Sequence, residues 1–347
     1  MLIKHFIQGT IVPIVLISIL AIVTHYTVYY RFTPNYVPGI FSESGFKEMY
    51  EKSVFKHRIV GIELQLFLYK KLKASGVDIQ ENKLYSKRLQ ALDSNADPYF
   101  YATYFIINTI SCVITVLLLF MIYSHERLYN LSKSEKIISI AVLISFIGLT
   151  QFVITPYDNL SYACLVLSFY LFLLNKQKKN LLTYTLLSAS VFFATLVRES
   201  SIIILTAIAS VHIAQVGFNI KHLVKKLWLP CLAFLTAYIG VRYYLSGSTE
   251  MIQSITLLKN IFHFESASKI MALAFMITLF YLLWQYANSG NLYLFKVFIL
   301  LSTPYLAMII MAGLLIEFRL WVPIVIGTLL LSRLNISKFS HSVDNNV

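Results

Sequence analysis

Residues 181–217 read LLTYTLLSASVFFATLVRESSIIILTAIASVHIAQVG. An uncharged apolar run reaches Val197, the triplet Arg198-Glu199-Ser200 interrupts it, and a second apolar run continues to Gly217. A helix on the surface of a soluble protein shows a polar stripe at a 3.6-residue period. Here Leu, Ile, Val and Phe fall on every face, so apolar material must surround both helices. Each run is close to the roughly 20 residues that cross a bilayer core. The stretch therefore reads as two membrane helices, joined by a turn that carries an Arg and a Glu where ionisable groups cost at least about 2.5 kcal/mol each.

The rest of the chain extends this reading. Of its 347 residues, 58% are apolar and only 13% are Asp, Glu, Lys or Arg, with a mean hydropathy of +0.70. No single soluble core accommodates that composition. Further apolar runs occur at about 7–30, 99–124, 137–155, 159–175, 227–245, 269–287, 297–316 and 318–334. With 181–197 and 200–217 they predict an all-α polytopic bundle of ten transmembrane helices, a single domain over 1–334 with a short tail at 335–347. The stretch after Lys4 is too long for a signal-peptide core and has no small-x-small cleavage site, so it reads as an uncleaved first helix. The net charge of +13 does not indicate nucleic acid, because the basic residues sit in short clusters between apolar runs. Cys112, Cys164 and Cys231 lie inside apolar runs without metal-ligand or disulfide spacing and read as packing residues.

Basic residues in short loops mark the cytoplasmic side. Lys4, Arg127, Lys133, Lys136, Lys176, Lys178, Lys179, Lys221, Lys225, Lys226, Lys296, Arg333 and Lys338 fall on one side of the alternation. The other side's short segments hold only Arg198, Arg242, Lys259, Lys269 and Arg319. Both termini are therefore expected in the cytoplasm and the chain in a plasma (inner) membrane. The one long loop, 31–98, is expected outside despite its basic residues, since long loops translocate largely regardless of charge. Within it, Phe46–Lys73 reads as helical, and Ile59–Leu72 as a membrane-seeking segment; the alternation Ile62, Leu64, Leu66, Leu68 leaves a strand as the alternative. Of the acidic residues, only Glu126, Glu135 and Asp344 fall on the cytoplasmic side.

Three charged turns map to the outer helix ends. Thr155-Pro156-Tyr157-Asp158-Asn159 has the residues of a tight turn, and Asp158 reads either as a helix cap or as a carboxylate facing a cavity. Arg198 and Glu199 are adjacent, so on a helix they point about 100° apart and need not pair with each other. Arg198 offers a planar fork to phosphate oxygens. Glu317-Phe318-Arg319, followed by Pro323, interrupts another apolar stretch. Each pair also reads as a structural ion pair between helices. Glu43, Glu48 and Glu51 follow the first helix, and His57-Arg58 precedes the membrane-seeking segment. His25 and His212 are lone histidines in apolar helices and read as hydrogen-bonded packing residues. Lys221, His222, Lys225 and Lys226 read as a basic patch in contact with anionic lipid.

In their order and sidedness these motifs resemble the GT-C class of membrane glycosyltransferases and poorly characterised bacterial polytopic proteins related to it. The resemblance spans nearly the whole chain. It rests on a long first outer loop with the stretch Lys56-His57-Arg58-Ile59-Val60-Gly61, on Tyr157-Asp158, on Arg198-Glu199-Ser200, and on Glu317-Phe318-Arg319. It implies transfer of a sugar from a polyprenyl-phosphate carrier to an envelope glycan or lipid acceptor at the outer face. A carboxylate early in the first outer loop would act as general base or orient the acceptor. Glu43 and Glu48 stand where the family carries Asp-Asp, Asp-Glu or Asp-aromatic pairs, which this chain lacks. Asp158 matches the second acidic position, which in relatives binds a divalent metal or the acceptor, some relatives needing no metal. Arg198, Arg319 and Arg58 would bind the carrier phosphate, with Tyr157, Glu199, Glu317 and His57 in support. Other readings are an O-antigen-type polymerase, a lipid-linked glycan transporter or flippase with helices broken at Pro230 and Pro304, and a non-catalytic partner in a larger complex.

Overall fold

The computed structural model describes residues 2–32, 40–79, 94–151, 153–246, 267–287, 291–312 and 317–336. Parts of the long 31–98 loop, the 247–266 stretch with Lys259, and the tail with Lys338 and Asp344 lie outside the described residues.

The described residues are helical throughout, with no strand; a single isolated bridge joins Tyr129 to Leu334. The helices are α1 Leu2–Thr27, α2 Glu43–Lys52, α3 Ile59–Ala74, α4 Pro98–Tyr123, α5 Lys133–Thr150, α6 Asp158–Lys178, α7 Leu181–Val197, α8 Ile202–Val216, α9 Ile220–Tyr244, α10 Ala267–Tyr286, α11 Leu292–Leu301, α12 Thr303–Ala312 and α13 Phe318–Ser332. Among the described residues, each apolar run of the sequence carries a helix. Among the described residues, five helices are long and apolar enough to cross a membrane, and the bent pair Leu292–Leu301 and Thr303–Met311 makes a sixth candidate. Large apolar side chains face outward along them, such as Val12, Leu16 and Val23 on α1 and Trp228, Leu232 and Ile239 on α9. This outward apolar surface is that of a multi-pass membrane protein.

Caps set the helix ends. Ser132 and Glu135 close a reciprocal capping box on α5, Asp97 caps α4 by accepting from Tyr99 N–H, and Asn180 and Asn219 cap α7 and α9. In the long loop, the expected continuous helix over 46–73 is divided. Ser53 ends α2 and caps the short 3-10 turn Val54–His57, and Arg58 departs from helical geometry before α3 begins. The alternation at 62–68 is helical, inside α3.

The helices pack as a continuous bundle. α4 lies against α1 and α6, α6 against α7, and α7 against α9. α13 is buried from Val322 to Ser332 and touches α5, α6, α8, α10 and α11. Pro230 sits inside α9 without ending it. The expected break near Pro304 does occur: the chain bends by 51° between α11 and α12, and Pro304 takes the second position of α12, where a missing N–H costs nothing. This bent pair still crosses the bundle. Asn291, before α11, donates to Leu331, Ser332 and Leu334 carbonyls at the end of α13, whereas Tyr305 on α12 donates to Leu320 O at its start, 2.8 Å away.

Candidate functional site

The three charged turns meet at one end of the bundle. Arg198 Nη1 lies 2.6 Å from Asp158 Oδ1, and Arg319 Nη1 lies 3.7 Å from Asp158 Oδ2. Arg319 Nε also donates to Glu317 Oε2 at 3.0 Å. The adjacent Glu199 takes different partners, accepting from Arg58 Nε at 3.3 Å and Arg242 Nη2 at 3.4 Å. Four guanidiniums and three carboxylates therefore form two ion-pair networks, Arg198–Asp158–Arg319–Glu317 and Arg58–Glu199–Arg242, which adjoin at the Arg198–Glu199 step after α7.

Local chain geometry explains the placement. Arg198 leaves α7 in an extended conformation, and a 3-10 turn over Glu199–Ser201 precedes α8. That kink turns Arg198 inward and Glu199 outward. Tyr157, not Asp158, is the cap of α6, and the Asp158 carboxylate accepts no hydrogen bond. The capping role expected for it is therefore absent. Its backbone N–H instead donates to Thr155 Oγ1. Arg198 holds Asp158 by charge at short range, without aligned N–H donation.

A buried polar network fixes the turn beneath Asp158. Asn159 Nδ2 donates to His25 Nε2 (2.9 Å) and to Asn108 O (3.1 Å), while Asn159 Oδ1 accepts from Gln151 Nε2 (3.0 Å). Asn108 Nδ2 donates to Thr155 O and to the Tyr29 hydroxyl, which in turn donates to Gln151 Oε1. His25 Nδ1 donates to Ala21 O, so His25 is hydrogen-bonded packing, as expected. Sequence reading had no signal for these pairings beyond polar residues in apolar runs.

The outer layer is aromatic. Arg58 stacks over Tyr157 (4.4 Å) and Phe55 (4.8 Å), and Arg242 over Tyr238 (3.6 Å). Gly61 of α3 lies so close to the Tyr157 turn that a Cβ there would meet Tyr157 Cβ at 2.7 Å. Tyr162 and Tyr305 donate to the carbonyls of Arg319 and Leu320 and hold the start of α13. His57 Nδ1 is buried without a hydrogen bond; burial, followed by the charge of Arg242, keeps this imidazole below its ordinary pKa. Arg242 is the member of the cluster that sequence reading placed only as a loop charge; its signal was an Arg at the matching end of an apolar helix.

Exposure rises outward through the cluster. The Asp158 and Arg198 side chains are 3% exposed, Glu199 is 25% and Arg242 36%. The first-loop candidates stand on α2, where Glu43 pairs with Lys47 at 2.7 Å and Glu48 is exposed. Among the described residues, no three His, Cys, Asp or Glu side chains gather as a metal site. A cation at Asp158 would face two guanidiniums, so the residues present do not suit a metal there.

Compared with known proteins, the chain matches no family model, no curated protein and no solved structure.

Proposed function

We propose that this multi-pass protein is a membrane glycosyltransferase of GT-C type. It moves a sugar from a polyprenyl-phosphate carrier to a glycan or lipid acceptor at the outer face of the plasma membrane. One observation carries the reading: Arg58, Arg198, Arg242 and Arg319 gather at one end of an otherwise apolar bundle. Guanidinium forks suit phosphate oxygens, and apolar helix walls suit a polyprenyl tail.

In this reaction an acceptor hydroxyl oxygen bonds to the anomeric carbon, and the bond from that carbon to the carrier phosphate breaks. The electron pair leaves with the phosphate, whose developing charge the arginines neutralise. The hydroxyl proton passes to a carboxylate. Glu199 is the most exposed acid of the cluster, which suits it to meet the acceptor. Asp158 holds Arg198 and Arg319 in place.

The test uses purified protein in vesicles with a panel of polyprenyl-phosphate-linked sugars. Arg58→Ala and Arg242→Ala should fold normally and lose transfer; transfer at the wild-type rate in both would sink the assignment.

The 51° bend between α11 and α12 favours a second reading, a lipid-linked glycan transporter, because broken helices line many transport sites. Movement of a labelled polyprenyl lipid across sealed vesicles without sugar transfer would select it.

A further inference from the structure

At the end of the bundle opposite Asp158, cations gather on three helices. α6 ends with Lys176, Lys178 and Lys179, α8 contributes His212, and α9 begins with Lys221, His222, Lys225 and Lys226. Residues 159–198 and 200–249 contain no Asp or Glu. Nearby, Glu135 pairs with Arg333, and Glu126 forms no ion pair among the described residues.

Lys176 sits at the centre, half-buried. Its ammonium donates to Gln215 Oε1 at 3.0 Å and to His212 Nδ1 at 3.3 Å, both neutral acceptors. The His212 ring meets Phe172 on one side and, edge to face at 5.5 Å, His222 on α9. Lys226 follows His222 by one helical turn, on the same face. The Tyr184 hydroxyl donates to Lys226 O and ties this turn of α9 to α7. The cluster is therefore built into the packing of four helices, unlike mobile surface lysines.

Exposed apolar side chains rim it: Leu181 at 75%, Phe218 at 71%, Ile220 at 63% and Val224 at 59%. A cationic centre with an apolar rim matches a ligand that carries phosphate and acyl chains together. We propose that this end is a specific site for the phosphate headgroup of an anionic membrane phospholipid, with Lys176, His222 and Lys226 taking the phosphate oxygens and the rim taking the acyl chains. Basic pockets between transmembrane helices bind anionic headgroups on these terms.

The test uses the full chain in detergent, titrated separately with phosphatidylglycerol, phosphatidylcholine and inorganic phosphate. Retained lipid is counted by native mass spectrometry, alongside the unfolding temperature. Phosphatidylglycerol should stay bound and raise the unfolding temperature, while phosphatidylcholine should do neither. Affinity for phosphatidylglycerol should fall about fivefold for each lysine removed in Lys176→Gln and Lys226→Gln. Lys133→Gln with Lys136→Gln, elsewhere on the protein, should leave it unchanged. Should the Lys176 variant not fold, the exposed Lys226→Gln position alone decides the matter. Stabilisation by inorganic phosphate equal to that by phosphatidylglycerol overturns the lipid as occupant. Equal binding of the two lipids, or no loss in the lysine variants, overturns the site. These readouts do not involve sugar transfer, so they stand or fall apart from it.

Discussion

Arg198 and Asp158 face each other across 2.6 Å with both side chains almost wholly buried, yet the carboxylate accepts no hydrogen bond. A pair held this way gains from mutual charge and lacks the donor geometry that offsets desolvation. As a stabilising device it is poor; as a means of keeping Arg198 and Arg319 side by side it is effective.

Removing one partner should therefore cost more than removing both. Arg198→Ala leaves the buried Asp158 with only its longer contact to Arg319, and Asp158→Ala leaves the buried Arg198 without its carboxylate, so each should destabilise by about 3–5 kcal/mol. Asp158→Asn combined with Arg198→Met should recover most of that loss in detergent unfolding experiments. If the proposed function holds, the double variant is folded and inactive.

Arg242 separates binding from stability. Its own side chain is 36% exposed, so Arg242→Ala should change stability by under about 1 kcal/mol. The same substitution should raise the KM for a polyprenyl-phosphate substrate. An unchanged KM would place Arg242 outside the site.

Gly61 is the contact point of α3 with the site. A methyl group there meets Tyr157 backbone and Cβ atoms that have no room to give. Gly61→Ala should destabilise by about 1–3 kcal/mol and shift Arg58 off the Tyr157 ring. Tryptic cleavage of the 31–98 loop reads out whether α3 has moved. An equal digestion rate in variant and wild type would mean that the close approach is not needed.

Asp97 links α3 to α4, and acid weakens the link. Burial pushes its carboxyl upward, but hydrogen bonds from Lys73 and Tyr69 and the Tyr99 N–H hold it below the ordinary value. A carboxyl with a lowered folded pKa adds stability that is complete above its unfolded value of about 3.9 and is lost as pH falls through the folded value. Wild type should therefore lose more stability below about pH 4 than Asp97→Asn does. Identical acid profiles would show that the capping carboxylate does not stabilise the junction.

The sequence made the helices legible because apolar runs longer than a bilayer core have few alternatives. It also located the charged turns, since an Arg at 198 or 319 stands out against Leu and Phe. What it could not supply was pairing. Arg198 and Glu199 are neighbours in the chain but point to different partners, and Asp158 had a local reading as a cap that the backbone at Tyr157 forecloses. Phe46–Lys73 looked continuous because its apolar residues span Ser53 without a gap; the break comes from a serine hydroxyl accepting from Phe55 N–H. The network of Asn159, Asn108, Gln151 and His25 joins four helices, and no local pattern encodes which amide meets which.

The deep burial of α13 has a consequence for biogenesis. This helix leaves the ribosome after α5, α6, α8 and α11, the neighbours that enclose it. Before it docks, Asp158 has one guanidinium instead of two, and the Tyr162 and Tyr305 hydroxyls lack the carbonyls they donate to in the finished fold. The nascent bundle must keep a slot open for α13, so the Asp158 end matures only at a late stage of insertion.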